Sequence, residues 1–183
     1  MKHCYGMIVS LQQVRHPIGP VFRAAENDGL TRLLAIKQPI VNLVGVCDIR
    51  EEFGQQRAQT LGVPFYSDYR VMLGELKPDV AVIITPHYNH AEIAIACLQA
   101  GCHVLVEKPM ALEVAEADAM IEAAQASGKL LAINFQHRQR PEVRAARKLI
   151  VEGRLGKLQR INMVTPWPRS AAYYGQASWR ATW

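Results

Sequence analysis

The sequence predicts an α/β fold in which helices cover both faces of a parallel sheet. Strand-like and helix-like segments alternate throughout residues 41–135, as expected for parallel strands joined by right-handed helical crossovers. Several strands are almost continuous apolar runs, which strands buried on both faces require. Of the 183 residues, 50% are hydrophobic, which is enough for one good core but short for two full domains.

The N-terminal part of the chain fits this pattern least well. Residues 5–11 could form a first strand, and residues 21–38 could form a helix. A phosphate-binding turn between them requires the spacing G-x-G-x-x-G. Gly19 can supply the last glycine, but Val14 and His16 occupy the two earlier positions. Side chains there would obstruct the close approach of the backbone to a pyrophosphate.

From residue 41 the elements follow one another regularly. The predicted strands span residues 41–47, 65–66, 79–84, 103–106 and 130–135. The predicted helices span residues 51–61, 68–76, 90–100 and 113–127, with glycines just beyond three of them at positions 62, 101 and 128. Asn89 is a candidate cap for the third of these helices.

An acidic residue, Asp48, directly follows the strand at residues 41–47. In a dinucleotide-binding fold, an acidic residue at the end of the second strand accepts hydrogen bonds from the adenosine ribose. Asp48 could also cap the next helix, and both roles can hold together. Arg50 lies near enough in the sequence to receive a 2′-phosphate, so the residues favour NAD as cofactor and leave NADP open.

The segment Glu107-Lys108-Pro109 directly follows the buried strand at residues 103–106. A charged pair in this position lies at the carboxyl edge of the sheet, where open α/β folds bind ligands. Pro109 cannot donate a backbone hydrogen bond and restricts the turn, so Lys108 is expected at the sheet rim. Alternatively, the pair is merely a solvated strand-to-helix turn.

The strand at residues 79–84 ends at the segment Thr85-Pro86-His87-Tyr88-Asn89-His90. His90 could contact a ligand there. A histidine in the first turn of a helix is, however, more often structural, and the sequence leaves both interpretations open.

The C-terminal part has a different character. Pro141 can start a helix that runs to about Val151, and two glycines bracket a turn after it. Residues 158–164 alternate like a half-buried strand. Residues 166–183 then form a loop rich in aromatic residues and arginines, including Trp179 and Arg180, which is a composition typical of ligand-facing segments.

The net charge of +5 is concentrated in residues 138–160, where eight basic residues stand against two acidic ones. Such a cluster could bind nucleic acid. Aromatic residues that could stack on bases are sparse there, so a solvated helix face or the rim of an anionic cofactor site is the favoured interpretation.

The four cysteines are scattered without C-x-x-C spacing, which favours reduced core cysteines in the cytoplasm and argues against a metal site. The sequence contains no apolar run of membrane-spanning length and no clear signal peptide, so a membrane association is not expected.

Several of these residues together carry a resemblance to a known family. The chain resembles the Gfo/Idh/MocA oxidoreductases over about residues 40–183, and the matching segments are Thr85-Pro86 with His90-Ala91, Ala100 to Pro109, Asn134 with Arg138 and Pro141, Gly153-Arg154-Leu155-Gly156, and Trp179-Arg180-Ala181-Thr182-Trp183. The Glu-Lys-Pro element is the most specific of them. The others are weaker singly but fall in the expected order.

The resemblance implies an NAD(P)-dependent dehydrogenase that acts on a hydroxyl of a sugar, polyol or cyclitol. It also implies an NAD(P)-binding Rossmann-like domain over residues 1–135, with residues 1–38 atypical, followed at 136–183 by the beginning of a substrate and dimerisation domain. The family continues beyond this point and forms homo-oligomers, so the chain is expected to be a fragment. The alternative is a non-catalytic nucleotide-binding module or an inactive truncation product.

The resemblance also implies roles for individual residues. Lys108 would be catalytic, lying beside the nicotinamide and contacting the reacting oxygen of the substrate. Glu107 would orient Lys108, and Pro109 would shape the turn through a cis peptide bond. The resemblance further implies that four residues contact the cofactor: Thr85, Pro86, His90 and Arg138. Trp179 and Arg180 would contact the substrate.

Overall fold

The structure is a computed structural model that describes residues 7–13, 41–166 and 168–175. The chain divides into two compact units between Gln139 and Arg140, a few residues after the boundary predicted from the sequence. The helix predicted at residues 21–38 lies outside the described residues.

The first unit is built on a six-stranded sheet with the order β3-β2-β1-β4-β5-β6. Its strands are β1 (Met7–Gln13), β2 (Val41–Asp48), β3 (Phe65–Tyr66), β4 (Val80–Ile84), β5 (His103–Glu107) and β6 (Leu131–Asn134). The pairs β2–β3, β4–β5 and β5–β6 are parallel. This is the strand order of a Rossmann sheet, and the predicted fold class is confirmed.

The first strand, β1, differs from the predicted parallel arrangement. It pairs antiparallel with both β2 and β4, so that Met7 lies opposite Asp48 and Ile84 while Gln13 lies opposite Val41. An antiparallel pair does not require a crossover connection between its strands, and the β1–β2 ladder contains a register shift between Ser10 and Leu11. Because it is antiparallel to β2, β1 ends at the edge of the sheet where β2 begins, which is the edge opposite Asp48.

Four helices of the first unit match their predicted ranges to within one residue. They are α1 (Glu51–Leu61), α2 (Tyr69–Leu76), α3 (His90–Gln99) and α4 (Val114–Ser127). Their ends carry strong local signals: the Asp68 carboxylate accepts from the Arg70 backbone N–H before α2, and Glu113 and Glu116 form a reciprocal capping box at α4.

The predicted cap of α3 is wrong. Asn89 makes no side-chain capping hydrogen bond. A 3₁₀ turn at His87–Asn89 precedes the helix, and the backbone N–H of Asn89 donates to the Pro86 carbonyl at 3.0 Å. Asn89 therefore already has a helical backbone conformation, which differs from the extended conformation that a capping residue usually adopts.

Two apolar clusters lie on the two faces of the sheet, because successive strand residues point to opposite sides. On one face, Val46 and Val82 pack with Ala58 of α1. On the other face, Ala81 and Ile83 pack with residues of α2, α3 and α4, including Met72, Leu98 and Met120. The helices therefore cover both faces, as predicted.

The second unit contains α5 (Pro141–Val151) and the short helix α6 (Ala171–Gly175). Pro141 occupies the first turn of α5, as predicted. The half-buried strand predicted at residues 158–164 is wrong: these residues form no strand, and Met163 and Val164 are 85% and 88% exposed. Alternation alone does not make a strand where no described neighbour pairs with it. None of the described helices is long and apolar enough to span a membrane.

Candidate functional site

Parallel pairing brings the carboxyl ends of several strands to one edge of the sheet. Glu107 at the end of β5 lies opposite Asn134 at the end of β6. Met7 of β1 lies opposite both Asp48 and Ile84, the last residues of β2 and β4. We call this the carboxyl edge. Asp48, the segment after β4 and the Glu107 turn, which were predicted separately, all lie along it.

The turn after β5 is held on its Glu107 side. Asn134 Nδ2 donates to Oε1 of Glu107, and the backbone N–H of Lys108 donates to Oε2 at 3.3 Å. The Lys108–Pro109 peptide bond is cis, and the Lys108 side chain is exposed at the rim. The arrangement fixes the Glu107 carboxylate and leaves an ammonium group at the carboxyl edge.

His90 lies beneath this turn and is fully buried. Its Nδ1 is 2.8 Å from the carbonyl oxygen of Pro109, and its Nε2 is 2.9 Å from the carbonyl oxygen of Thr85. Both ring nitrogens therefore contact the backbone of the protein. In this position the imidazole joins the segment after β4 to the segment after β5.

The segment after β4 supplies two further polar groups. The hydroxyl oxygen of Thr85 is buried and has no hydrogen-bond partner among the described residues. The His87 ring packs edge-on against the His90 ring, with 5.6 Å between the centroids. Burial is the main cause that lowers the pKa of His87, electrostatic interactions with His90 and Lys108 lower it further, and Glu107 acts in the opposite direction.

At the other end of the edge, Asp48 is buried against Arg50. Its Oδ1 accepts from the Arg50 backbone N–H at 2.9 Å and from Nε at 3.4 Å, and its Oδ2 accepts from Nη2 at 3.2 Å. The Arg50 guanidinium also lies 4.2 Å from the centroid of the Phe53 ring. Asp48 thus bonds to the residue before α1 and forms no bond to a backbone N–H within the helix.

The remaining predicted site residues are Arg138, Pro86, Trp179 and Arg180. Arg138 lies in the 3₁₀ turn that follows β6, where its guanidinium is 4.8 Å from the centroid of the Phe135 ring. Pro86 is buried in the segment after β4. Trp179 and Arg180 lie outside the described residues.

Sequence reasoning did not assign Asn134, Phe53 or His87 to the site. Asn134 had a usable signal, because it is a polar residue at the carboxyl end of a strand next to β5. Phe53 had none, since its contact with Arg50 depends on how the first turn of α1 is placed.

No group of three or more His, Cys, Asp or Glu side chains among the described residues is placed to hold a metal ion. Cys47, Cys97 and Cys102 are buried free thiols. Burial is the main cause that raises the pKa of Cys47 and of Cys97 to about 12. These thiols are therefore core residues and are poor nucleophiles.

Comparison with known proteins gives a family match. The model of the Gfo/Idh/MocA oxidoreductase family, described as having an NAD-binding Rossmann fold, matches residues 23–135. The match includes β2 to β6 and excludes β1, which is the strand that runs in the unexpected direction.

Individual relatives agree with this match. The chain is 36% identical over 119 residues to D-glucoside 3-dehydrogenase of Escherichia coli K12, covering 64% of this chain and 34% of that protein. It is 28% identical over 116 residues to myo-inositol 2-dehydrogenase of Thermotoga maritima, covering 63% and 35%. The chain therefore spans about a third of the length of these curated relatives.

Among solved structures, the WlbA dehydrogenase of Bordetella pertussis, in complex with NADH and UDP-GlcNAcA, superposes with a TM-score of 0.69. It is 35% identical, and the match covers 75% of this chain and 40% of that chain.

Proposed function

The chain belongs to the Gfo/Idh/MocA oxidoreductase family, and from that premise we propose that its carboxyl edge is the cofactor-binding and hydride-transfer edge of a sugar, polyol or cyclitol dehydrogenase. The observation that carries the proposal is the turn after β5. Lys108 stands exposed at the edge beside a Glu107 carboxylate that Asn134 holds in place. The activity belongs to the family's whole proteins, so for this chain it is a proposal.

The described residues fit the two ends of an NAD molecule. Asp48 stands at the end of β2, where the family's fold binds the adenosine ribose, and its Oδ2 accepts one hydrogen bond, which leaves acceptor capacity. The buried Thr85 hydroxyl, which has no partner among the described residues, is a polar group that a ligand could satisfy. Asp48 supports NAD as the cofactor, and Arg50 keeps NADP open.

The middle of the cofactor, the pyrophosphate, fits less well. In a Rossmann fold the glycine-rich phosphate turn follows the first strand at the carboxyl edge. Here β1 runs the other way, and its last residue, Gln13, lies opposite Val41 at the far edge. The described residues therefore supply no such turn, and the candidate turn at Val14, His16 and Gly19 lies outside them.

The chemistry that the chain's own residues can perform centres on Lys108. Bound NAD would accept or donate the hydride. Lys108 Nζ carries protons that can hydrogen-bond to the substrate oxygen, and the ammonium charge stabilises the negative charge that develops there. The backbone N–H of Lys108 donates to the Glu107 carboxylate. This bond restricts the position of the Lys108 Cα atom, from which the side chain extends.

The substrate class follows from the relatives. D-glucoside 3-dehydrogenase and myo-inositol 2-dehydrogenase act by name on a glucoside and a cyclitol, which supports a polyhydroxylated substrate for this chain. Homo-oligomerisation, as in the full-length family, and the substrate contacts of Trp179 and Arg180 stay proposals. The buried free thiols support a cytoplasmic location.

One alternative has a specific observation in its favour. The reversed β1 favours a non-catalytic nucleotide-binding module or an inactive product, because it does not deliver a phosphate turn to the carboxyl edge. The dehydrogenase and the non-catalytic module differ in whether hydride transfer occurs.

Hydride transfer can be measured as NADH formation from NAD and a panel of glucosides, polyols and inositols. The proposal expects turnover that Lys108→Met lowers at least about a hundredfold, with NADH affinity changed by a few-fold at most. Lys129→Met is the matched control, since Lys129 precedes β6 and lies toward the opposite edge. Turnover unaffected by Lys108→Met would remove Lys108 from the mechanism, and NADH binding without any turnover would favour the non-catalytic module.

A further inference from the structure

The two ring nitrogens of His90 contact two different segments of the carboxyl edge. Nδ1 lies 2.8 Å from the Pro109 carbonyl, and Nε2 lies 2.9 Å from the Thr85 carbonyl. One carbonyl belongs to the turn that carries Lys108, and the other to the segment after β4. The ring is fully buried, so these two contacts account for both of its polar atoms.

The protonation of the ring determines which of the two carbonyls accepts a hydrogen bond from it. Carbonyl oxygens only accept hydrogen bonds, and a neutral imidazole carries one N–H and one lone pair. Only a doubly protonated ring donates to both carbonyls, whereas either neutral tautomer donates to one of them. In every case a buried N–H···O bond from α3 holds one of the two segments, and the ring fills the space between them.

With its proton on Nδ1, the ring donates to the Pro109 carbonyl, and Lys108 is then held on both sides. On its N-terminal side, the Glu107 carboxylate accepts from Asn134 of β6 and from the Lys108 N–H. On its C-terminal side, the carbonyl of Pro109 contacts His90. The first anchor comes from the neighbouring strand and the second from the helix beneath, so the two act from different elements.

We propose that His90 is a positioning residue that fixes the Lys108–Pro109 turn against the Thr85 segment and so sets the place of Lys108 at the carboxyl edge. The link between the two segments stands on the contacts alone. Its catalytic meaning rests on the function proposed above. His90 therefore acts through Lys108 and the Thr85 segment, and its own nitrogens do not face a ligand.

A role that is only structural makes a different prediction. If His90 merely filled the core, its loss would lower the stability of the whole first unit. The free energy of opening would then fall by the same amount at every protected amide, and exchange would be faster everywhere. If it positions the turn, its loss releases the two segments selectively. The Lys108 amide, bonded to Glu107, and the Asn89 amide, bonded to Pro86, report on the two segments.

The test is residue-resolved amide hydrogen exchange, followed by NMR, on the complete 183-residue chain. His90→Gln keeps a donor but cannot reach both carbonyls, and His90→Leu removes the donors while filling space. The matched control is Leu98→Ala, a fully buried position on the same helix, with all variants compared at equal free energy of unfolding. Leu98 lies eight residues after His90 in the chain, and its side chain has no hydrogen-bonding group.

The expected result is exchange at Lys108 and Asn89 that is at least about tenfold faster in both His90 variants than in the control, with His90→Gln the milder of the two. Amides within β2 and α4 should match the control. Equal acceleration at all protected amides, or the same local pattern in Leu98→Ala, would overturn the proposal.

A second readout separates this inference from the proposed function. With turnover present, His90→Gln should lower kcat by about tenfold and change the affinity for NADH by less than about threefold, because Lys108 is displaced while the Asp48 end is untouched. A purely structural role would leave kcat per folded molecule unchanged. If the wild-type chain shows no NADH binding or turnover, the proposed function fails, and the exchange experiment still decides the role of His90.

Discussion

Asn134, the last residue of β6, donates a side-chain hydrogen bond to Glu107, the last residue of β5, directly across the parallel ladder. The contact ties two strand ends together at the carboxyl edge. It also fixes the carboxylate whose other oxygen accepts from the Lys108 backbone. The position of Lys108 therefore depends on a residue that is distant in the sequence and adjacent in the sheet.

Replacing Asn134 should test this contact. Asn134→Asp places a second carboxylate beside Glu107, removes the donor and adds like-charge repulsion. We expect the free energy of unfolding to fall by about 1–3 kcal/mol, as measured by urea denaturation at neutral pH. Asn42→Asp, at an exposed position of β2, is the control and should change stability by less than about 0.5 kcal/mol. Equal effects at both positions would mean that the Asn134 contact contributes nothing.

Asp48 should matter for cofactor affinity. In Asp48→Asn one charged acceptor is lost for both Arg50 and a ribose hydroxyl. A charge-assisted hydrogen bond contributes roughly 1.5 kcal/mol, which corresponds to about a tenfold weaker affinity for NADH. The affinity for NADPH should fall less, because removing the carboxylate also removes repulsion of a 2′-phosphate. The measurement is calorimetric titration of folded protein with each cofactor, with Glu52→Gln on the exposed face of α1 as the control. An unchanged ratio of the two affinities would remove Asp48 from cofactor selection.

Gly54 should be intolerant of a side chain because α1 packs closely there. A Cβ atom at this position would clash with the Phe65 ring and lie 3.1 Å from the Asp48 Cβ. We expect Gly54→Ala to lower the free energy of unfolding by about 1–3 kcal/mol.

Gly74 provides the contrast within the same unit. It lies in helix α2, and a Cβ atom there would have no neighbour within 4 Å. Gly74→Ala should stabilise the protein by roughly 0.5–1 kcal/mol, because alanine loses less backbone entropy on folding. Chemical denaturation of the two variants in parallel checks the pair. A Gly54→Ala variant as stable as Gly74→Ala would show that α1 can move away from β2 and β3.

His87 should titrate below the ordinary histidine value. Burial, followed by electrostatic interactions with His90 and Lys108, lowers its pKa from 6.5. The unfolded chain therefore binds this proton more readily than the folded chain, and the contribution of His87 to stability is lost as the pH falls below about 6.5. A pH titration of the His87 ring resonances by NMR gives the midpoint.

Charge removal checks the cause of that shift. Lys108→Met should raise the midpoint of His87 because one of the charges that lower its pKa is gone, while Lys129→Met should leave it in place. A wild-type midpoint at or above 6.5 would contradict the environment described for this ring.

Most of the fold between residues 41 and 135 could be predicted because its signals are local. Asp68 caps α2, and Gly62 has the left-handed conformation expected at the end of α1, so helix boundaries follow from single residues. The direction of β1 could not be predicted, since the alternation of side chains in a strand reads the same in both directions. Residues 158–164 alternate in the same way, but no described strand pairs with them.

The candidate site was predictable in its location and less so in its contacts. Strand ends followed by Asp48, Thr85 and Glu107 indicate the carboxyl edge without any structure. The bonds that organise it join residues far apart in sequence, such as His90 with Pro109 and Asn134 with Glu107. They depend on which strands are neighbours and on how deeply α3 packs, and neither is set by local sequence.

The most direct test of the central claim is calorimetric titration of the folded 183-residue chain with NADH, with NADPH alongside. The claim that the carboxyl edge binds a nicotinamide dinucleotide predicts saturable binding of NADH that Asp48→Asn weakens about tenfold. Absence of binding, from a chain shown by NMR to be folded, would contradict it. The family relationship would then record ancestry, and the reversed first strand would mark a lost cofactor site.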